Sequence, residues 1–165
     1  MTGPWPVRCY VGLGSNLDAP RDHVRAALDQ LDRLPGCRRV AASPCYTSAP
    51  LGPQDQPDYC NAVAALDTDL APLELLGQLQ ALERAHGRTL ARRWGERTLD
   101  LDLLLYGNLQ LASALLTLPH PGLSSRDFVL YPLADIAPPD LPIPGLGRLD
   151  ELLARCPKEH LKPTP

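Results

Sequence analysis

The sequence predicts an α+β domain with elements in the order strand, helix, strand, strand, helix, strand. Its sheet is antiparallel, with helices on one face and short extra helices at the C-terminal end. Three observations predict this. Short apolar runs that stop at turn residues stand at 7–13, 59–66 and 99–106. Two segments of helical periodicity separate them, each opened by a proline, Pro20 and Pro72. A further short run, 39–47, lies between the first helix and the second apolar run. That order is the split βαβ, or ferredoxin-like, arrangement.

Each element has its own justification. Val7 to Leu13 is short and apolar and ends at Gly14, where Gly14-Ser15-Asn16-Leu17 makes a turn. Pro20 suits the first turn of a helix that runs to about Leu34, with Val24, Ala27, Leu28 and Leu31 on one face. Pro35-Gly36 ends it. Arg39 to Thr47 reads as a strand, and Leu51 to Asp58 as a turn-rich loop. Tyr59 to Leu66 is the next strand, antiparallel to the previous one. Pro72 opens a helix through about His86, with Leu73, Leu76, Leu79 and Leu82 directed inward, and Gly87 stops it. Residues 88–96 form a loop before the strand 99–106. Short helices near 124–133 and 149–156 complete the chain.

Composition bounds the function. A chain of 165 residues with 44% hydrophobic and 21% charged residues suits one compact domain with a sizeable core. The net charge of −3 argues against nonspecific binding to nucleic acid or membranes. No apolar run is long enough to span a bilayer, and the first six residues lack the charged and apolar parts of a secretory signal. Five widely spaced cysteines with no CxxC pair suggest neither zinc nor a disulfide framework. A cytoplasmic location is expected.

The chemistry concentrates at Arg97-Thr98-Leu99-Asp100-Leu101-Asp102. Side chains alternate along a strand, so Asp100 and Asp102 share one face while Leu99, Leu101 and Leu103 share the other. Two carboxylates on one face beside apolar neighbours call for a cation. With oxygen ligands alone the natural ion is magnesium, held by one or two carboxylates and substrate phosphates. Arg88, Arg92, Arg93 and Arg97 stand just upstream as phosphate partners. A salt-bridged strand is the competing reading. The arginine cluster is partly habit, because the chain's only lysines are Lys158 and Lys162.

Several segments together carry a resemblance. They are Gly14-Ser15-Asn16, the run from Pro50-Leu51-Gly52-Pro53-Gln54-Asp55 through Gln56-Pro57-Asp58-Tyr59-Cys60-Asn61-Ala62, Arg93-Trp94-Gly95-Glu96-Arg97-Thr98-Leu99-Asp100-Leu101-Asp102, Leu118-Pro119-His120 and Arg126-Asp127-Phe128. In this order the chain resembles the 6-hydroxymethyl-7,8-dihydropterin pyrophosphokinases of folate biosynthesis, from about Val7 to about Pro138. The resemblance implies transfer of the β,γ-diphosphate of ATP to the pterin hydroxymethyl oxygen, with release of AMP. It also implies two magnesium ions and a ferredoxin-like fold. Small-molecule substrates, a monomer, and neither nucleic acid nor membrane as partner complete the expectation.

The resemblance also implies residue roles. Asp100 and Asp102 match the metal ligands. Arg88, Trp94 and Arg97 complete the catalytic set, with Trp94 matching a loop tryptophan that folds over the site. Gln80, Glu83, Arg88, Arg97, Thr117, His120 and Arg126 match the ATP side. Tyr59 and Phe128 match the aromatic pair that sandwiches the pterin ring. Asn61 matches the amide that reads the ring edge, where a donor and an acceptor are both needed. Ser48, Leu51 and Gly14 match backbone contacts to the ring. The chain departs from the family pattern at Thr89 and Leu90, Leu115 and Pro121, which bears on details of ATP binding.

Two rival classes remain in view. A noncatalytic nucleotide-binding module would share the fold, but the intact Arg97, Asp100, Asp102 and Arg126 set argues against lost turnover. An RNA-binding domain of the same fold wants basic charge and sheet aromatics, and aromatics are only 5% of an acidic chain.

Overall fold

A computed structural model of the chain describes residues 7–17, 19–49, 55–87, 98–159 and 161–163. The elements are β1 (Val7–Ser15), α1 (Pro20–Leu31), β2 (Cys37–Ala42), β3 (Tyr46–Ser48), β4 (Tyr59–Thr68), α2 (Pro72–Ala85) and β5 (Asp100–Tyr106). They are followed by β6 (Leu111–Ala112), β7 (Thr117–Leu118), α3 (Asp127–Ile136), β8 (Pro142–Ile143), β9 (Gly147–Arg148), α4 (Leu149–Ala154) and β10 (Lys162–Pro163). The βαββαβ order expected from the sequence is present, with small hairpins β6–β7 and β8–β9 added.

The main sheet is antiparallel in the order β10-β3-β4-β1-β5, and β2 also pairs with β4. The expected single strand 39–47 is two strands, because the chain breaks at Ser43 and Pro44. Proline has no N–H for the ladder. Ser43 bridges the gap: its N–H donates to the Val63 carbonyl at 2.8 Å, and its hydroxyl accepts the Val63 N–H at 2.9 Å. The C-terminal strand β10 adds to the free edge of β3, pairing Lys162 with Thr47 and Pro163 with Tyr46.

Alternation builds two cores. Cys9, Val11 and Leu13 of β1, with Cys60, Ala62, Ala64 and Leu66 of β4, face α1 and α2. Tyr10, Val63 and Ala65 face the other way, toward Val129, Leu130 and Leu133 of α3 and Leu149 and Leu152 of α4. A bulge in the β1–β5 ladder switches parity: Tyr10 pairs with Leu105 and Val11 with Leu103, so Leu104 is the extra residue. Leu104 and Leu105 therefore both enter the second core.

The expectation of helices on one face would leave the second face open, and here the structure differs. The short helices α3 and α4 bury it under their own apolar stripes, and among the described residues an opening remains near Gly14, Asn61 and Asp100. The inward face of α2 also shifts. Leu75, Leu79 and Glu83 are buried, whereas Leu73 is 50% exposed. Leu73 stands at the second helical residue, before the stripe that meets the sheet begins. α1 stops at Leu31, three residues earlier than expected, and α3 starts three residues later and reaches Ile136. α1 and α2 are joined by a polar contact, His23 Nδ1 to His86 Nδ1 at 2.6 Å, while His86 Nε2 meets Gln30 Oε1 at 2.7 Å.

Candidate functional site

The register puts the site together. Gly14 of β1 lies between Asn61 of β4 and Asp100 of β5, and Gly12 lies between Val63 and Asp102. These rows share the face on which α3 packs. Two glycines in the central strand leave a floor with no side chains, flanked by an amide on one side and two carboxylates on the other. Above that floor is a cavity of about 90 Å³. Tyr59, Asn61 and Ser48 line one wall, Asp100 and Asp102 another, and Arg126 and Phe128 reach in from α3.

Each wall is fixed by its own contacts. Ser48 stands directly across from Tyr59 in the β3–β4 ladder. The Asn61 amide donates to Ser48 Oγ at 2.5 Å, and both residues are buried. That bond uses one donor and leaves the amide oxygen beside Gly14, 3.2 Å from where a Cβ would sit. The Tyr59 ring lies 3.5 Å from the same point, so it closes over the glycine floor. Asn16 holds the end of β1 to the segment that leads into β4, donating to Gln56 Oε1 and to the Pro57 carbonyl, both at 2.9 Å.

On the α3 side, the Arg126 guanidinium stands 5.7 Å from the Phe128 ring centroid, within cation–π range. Its side chain crosses Gly122, where a Cβ would fall 2.4–2.9 Å from it. The glycine thus lets the arginine lie low beneath the cavity mouth. His120 reaches Asp102, with Nε2 3.8 Å from Oδ1. His120 Nδ1 accepts the Gly122 N–H at 3.0 Å, so in the neutral ring the proton is on Nε2 and aimed toward the carboxylate. Burial holds the His120 pKa below its usual range and Arg126 pushes the same way, while Asp102 opposes them.

The site residues expected from the sequence fall into three groups. Gly14, Ser48, Tyr59, Asn61, Asp100, Asp102, Arg126 and Phe128 line one cavity, and His120 joins it through Asp102. Gln80 and Thr117 are exposed and lie off the cavity lining, and Glu83 is buried on the far side of the sheet. There its Oε2 accepts the Leu101 N–H at 2.8 Å, so it holds the strand that carries both aspartates. Leu51, Arg88, Trp94 and Arg97 lie outside the described residues. Sequence reasoning missed Gly12, Leu13, Ala49, Ala62 and Val129 as lining residues. The alternation of Gly12 and Gly14 in one strand was a usable signal for the first; no local pattern marks the other four.

Asp100 and Asp102 suit a hard cation: two carboxylates on one strand face at a cavity edge, with Asp102 45% exposed and open to further oxygen ligands. Among the described residues no cluster of three or more potential ligands exists, so phosphate and water oxygens would have to complete the shell.

Comparison with known proteins agrees with this geometry. Residues 10–138 match the family described as 7,8-dihydro-6-hydroxymethylpterin-pyrophosphokinase (HPPK). A 2-amino-4-hydroxy-6-hydroxymethyldihydropteridine pyrophosphokinase of Pseudomonas aeruginosa is 56% identical over 96% of this chain and 97% of its own length. The protein of the same description from Haemophilus influenzae is 49% identical over 89% of this chain and 91% of its own. Among solved structures, an HPPK-DHPS crystallised in complex with substrates superposes with a TM-score of 0.66 at 11% identity. It spans 90% of this chain, which covers 43% of that longer one, and at such identity it supports the fold alone. The chain belongs to the 7,8-dihydro-6-hydroxymethylpterin-pyrophosphokinase family.

Proposed function

We propose that this protein, as a single pyrophosphokinase domain, transfers the β,γ-diphosphate of ATP to the hydroxymethyl oxygen of 6-hydroxymethyl-7,8-dihydropterin and releases AMP. The observation that carries this reading is the cross-strand row Asn61–Gly14–Asp100. It sets a group that reads a ring edge, a bare floor for a flat ring and an anionic cation ligand side by side. Tyr59, from β4, and Phe128, from α3, both line the cavity and would hold the ring between them. The Asn61 oxygen accepts from a ring donor, and its remaining N–H donates to a ring acceptor.

Diphosphoryl transfer is achieved largely by positioning and charge neutralisation. Asp100 and Asp102 would hold two magnesium ions, which supply charge neutralisation for the triphosphate and the attacking oxygen. Arg126 supplies fixed guanidinium donors to phosphate oxygens at the mouth. His120, whose Nδ1 accepts the Gly122 N–H, points its Nε2 toward Asp102 and could offer that nitrogen to a phosphate oxygen. Arg88, Arg97 and Trp94 complete the set by their match to the family pattern. The protein is proposed to work as a cytoplasmic monomer on these two small molecules, with no nucleic-acid or membrane partner. Among the described residues no helix is long and apolar enough to cross a membrane.

A coupled assay for AMP with ATP, magnesium and the hydroxymethyl dihydropterin tests the reading. AMP release that requires both magnesium and the pterin is the expected result. ATP binding without pterin-dependent AMP release would favour a noncatalytic nucleotide-binding module.

A further inference from the structure

We infer that Tyr46 and Asp135 form a strut that sets the width of the slot between Tyr59 and Phe128, and are therefore positioning residues for the flat ligand. This rests on the pterin reading of the cavity. The Tyr46 hydroxyl donates to Asp135 Oδ2. Tyr46 pairs directly with Asn61 across the β3–β4 ladder, two residues from the Ser48–Tyr59 pair. Asp135 lies seven residues beyond Phe128 on α3, two helical turns along the same side. One bond thus joins the strand pair that carries one wall of the slot to the helix that carries the other.

The apolar contacts between these walls are less able to fix a spacing. α3 meets β4 through Val129, Leu130 and Leu133 against Val63 and Ala65. Apolar contact of this kind is non-directional and tolerates small slides. A phenol with two rotatable angles, bonded to a carboxylate, sets both distance and direction. The strand end of the strut is itself held from outside, because β10 pairs Pro163 with Tyr46 and Lys162 with Thr47. β3 is therefore fixed between β4 and the tail, and Tyr46 projects from a supported base. Burial and the neighbouring carboxylate push the Tyr46 hydroxyl up to about 12, so it remains a donor throughout the physiological range.

Calorimetry on Tyr46→Phe, Asp135→Ala and the double variant, with the pterin and separately with magnesium and a nonhydrolysable ATP analogue, tests the strut. Each single variant is expected to weaken pterin binding by about five- to tenfold, the scale of one lost positioning bond. Nucleotide affinity should stay within about twofold. The double variant should be no weaker than the worse single one, since both remove the same bond. Asp135→Asn keeps an acceptor and should recover most of the loss. Unchanged pterin affinity, equal losses for both ligands, or additive losses would overturn the inference.

A second readout needs no ligand. Phe128 is the only phenylalanine in the chain, so fluorophenylalanine labelling gives one fluorine resonance in the slot wall. In Asp135→Ala that resonance should shift or broaden relative to the parent, and Asp135→Asn should restore it. An identical resonance in parent and Asp135→Ala overturns the strut. A parent protein that binds no pterin overturns the ligand reading and with it the ligand-positioning role. The fluorine comparison then shows separately whether the bond holds the two walls.

Discussion

Replacing Gly14 by alanine separates binding from stability. Gly14 is the next-to-last residue of β1 and has no left-handed backbone, so alanine meets no conformational barrier there. Glycine in a strand is roughly 0.5–1 kcal/mol less favourable than alanine, which acts in favour of the variant's fold. Against this, the new Cβ would sit 3.2 Å from Asn61 Oδ1 and 3.5 Å from Tyr59 Cδ1. The second distance is ordinary contact; the first requires the amide to yield by a few tenths of an ångström. Asn61 is tied to Ser48 at 2.5 Å, so its room to yield lies toward the cavity. The methyl group also rises into the floor on which the ring would rest. Overpacking of this kind typically costs about 1–3 kcal/mol. Here that cost falls on the liganded state, because the free cavity has space to accept the shift. Pterin affinity should therefore fall by about five- to 150-fold, while the melting temperature stays within about 4 °C of the parent or rises. Calorimetry with pterin and with nucleotide, beside a thermal scan, measures both. Full pterin affinity in a normally folded variant would show that no ligand approaches Gly14. A large fall in melting temperature would show that the position serves packing.

Three further outcomes are expected. Asp100→Asn and Asp102→Asn should each lower AMP formation by about a hundredfold or more, since losing a charged cation ligand costs several kcal/mol; near-normal turnover at moderate magnesium would refute the two-carboxylate site. Glu83→Ala leaves the Leu101 N–H without the acceptor it has at 2.8 Å. Loss of that buried acceptor is expected to reduce stability by about 1–3 kcal/mol in urea unfolding, with Glu83→Gln milder, and an unchanged midpoint for Glu83→Ala would show that the strand does not depend on it. Burial, and then His23, hold the His86 pKa below its ordinary 6.5. Below that value the unfolded chain binds more protons than the fold at this residue, so His86 adds no pH dependence to stability well above 6.5 and lowers stability as pH falls below it. The melting temperature of His86→Gln should therefore gain on the parent between pH 6.5 and 5, and a difference that stays flat across that range would refute the assignment.

Much of this protein is decided by its sequence read locally. The βαββαβ order follows from apolar runs and two proline-opened helices, because strand and helix periodicities are properties of neighbouring residues. The shared face of Asp100 and Asp102 follows from alternation alone. The Arg93–Asp102 segment carried the family resemblance without any knowledge of contacts. Other features needed distant segments to meet. The row Asn61–Gly14–Asp100 is a matter of register between three strands, and register depends on which faces bury together. Ser43 replaces a missing ladder group only because Val63 lies opposite it. Leu73 is exposed and Leu75 buried because the sheet, rather than the leucine count, decides where the α2 stripe begins. Glu83 is an acidic residue in a helical stripe, and a tertiary contact, the Leu101 N–H donating to its Oε2, gives it a reason to be buried. The helices α3 and α4 cover a sheet face that local pattern left open, because their apolar sides had no other surface to meet. Propensity and periodicity thus set the elements, while the pairing of faces decided by burial set the cavity.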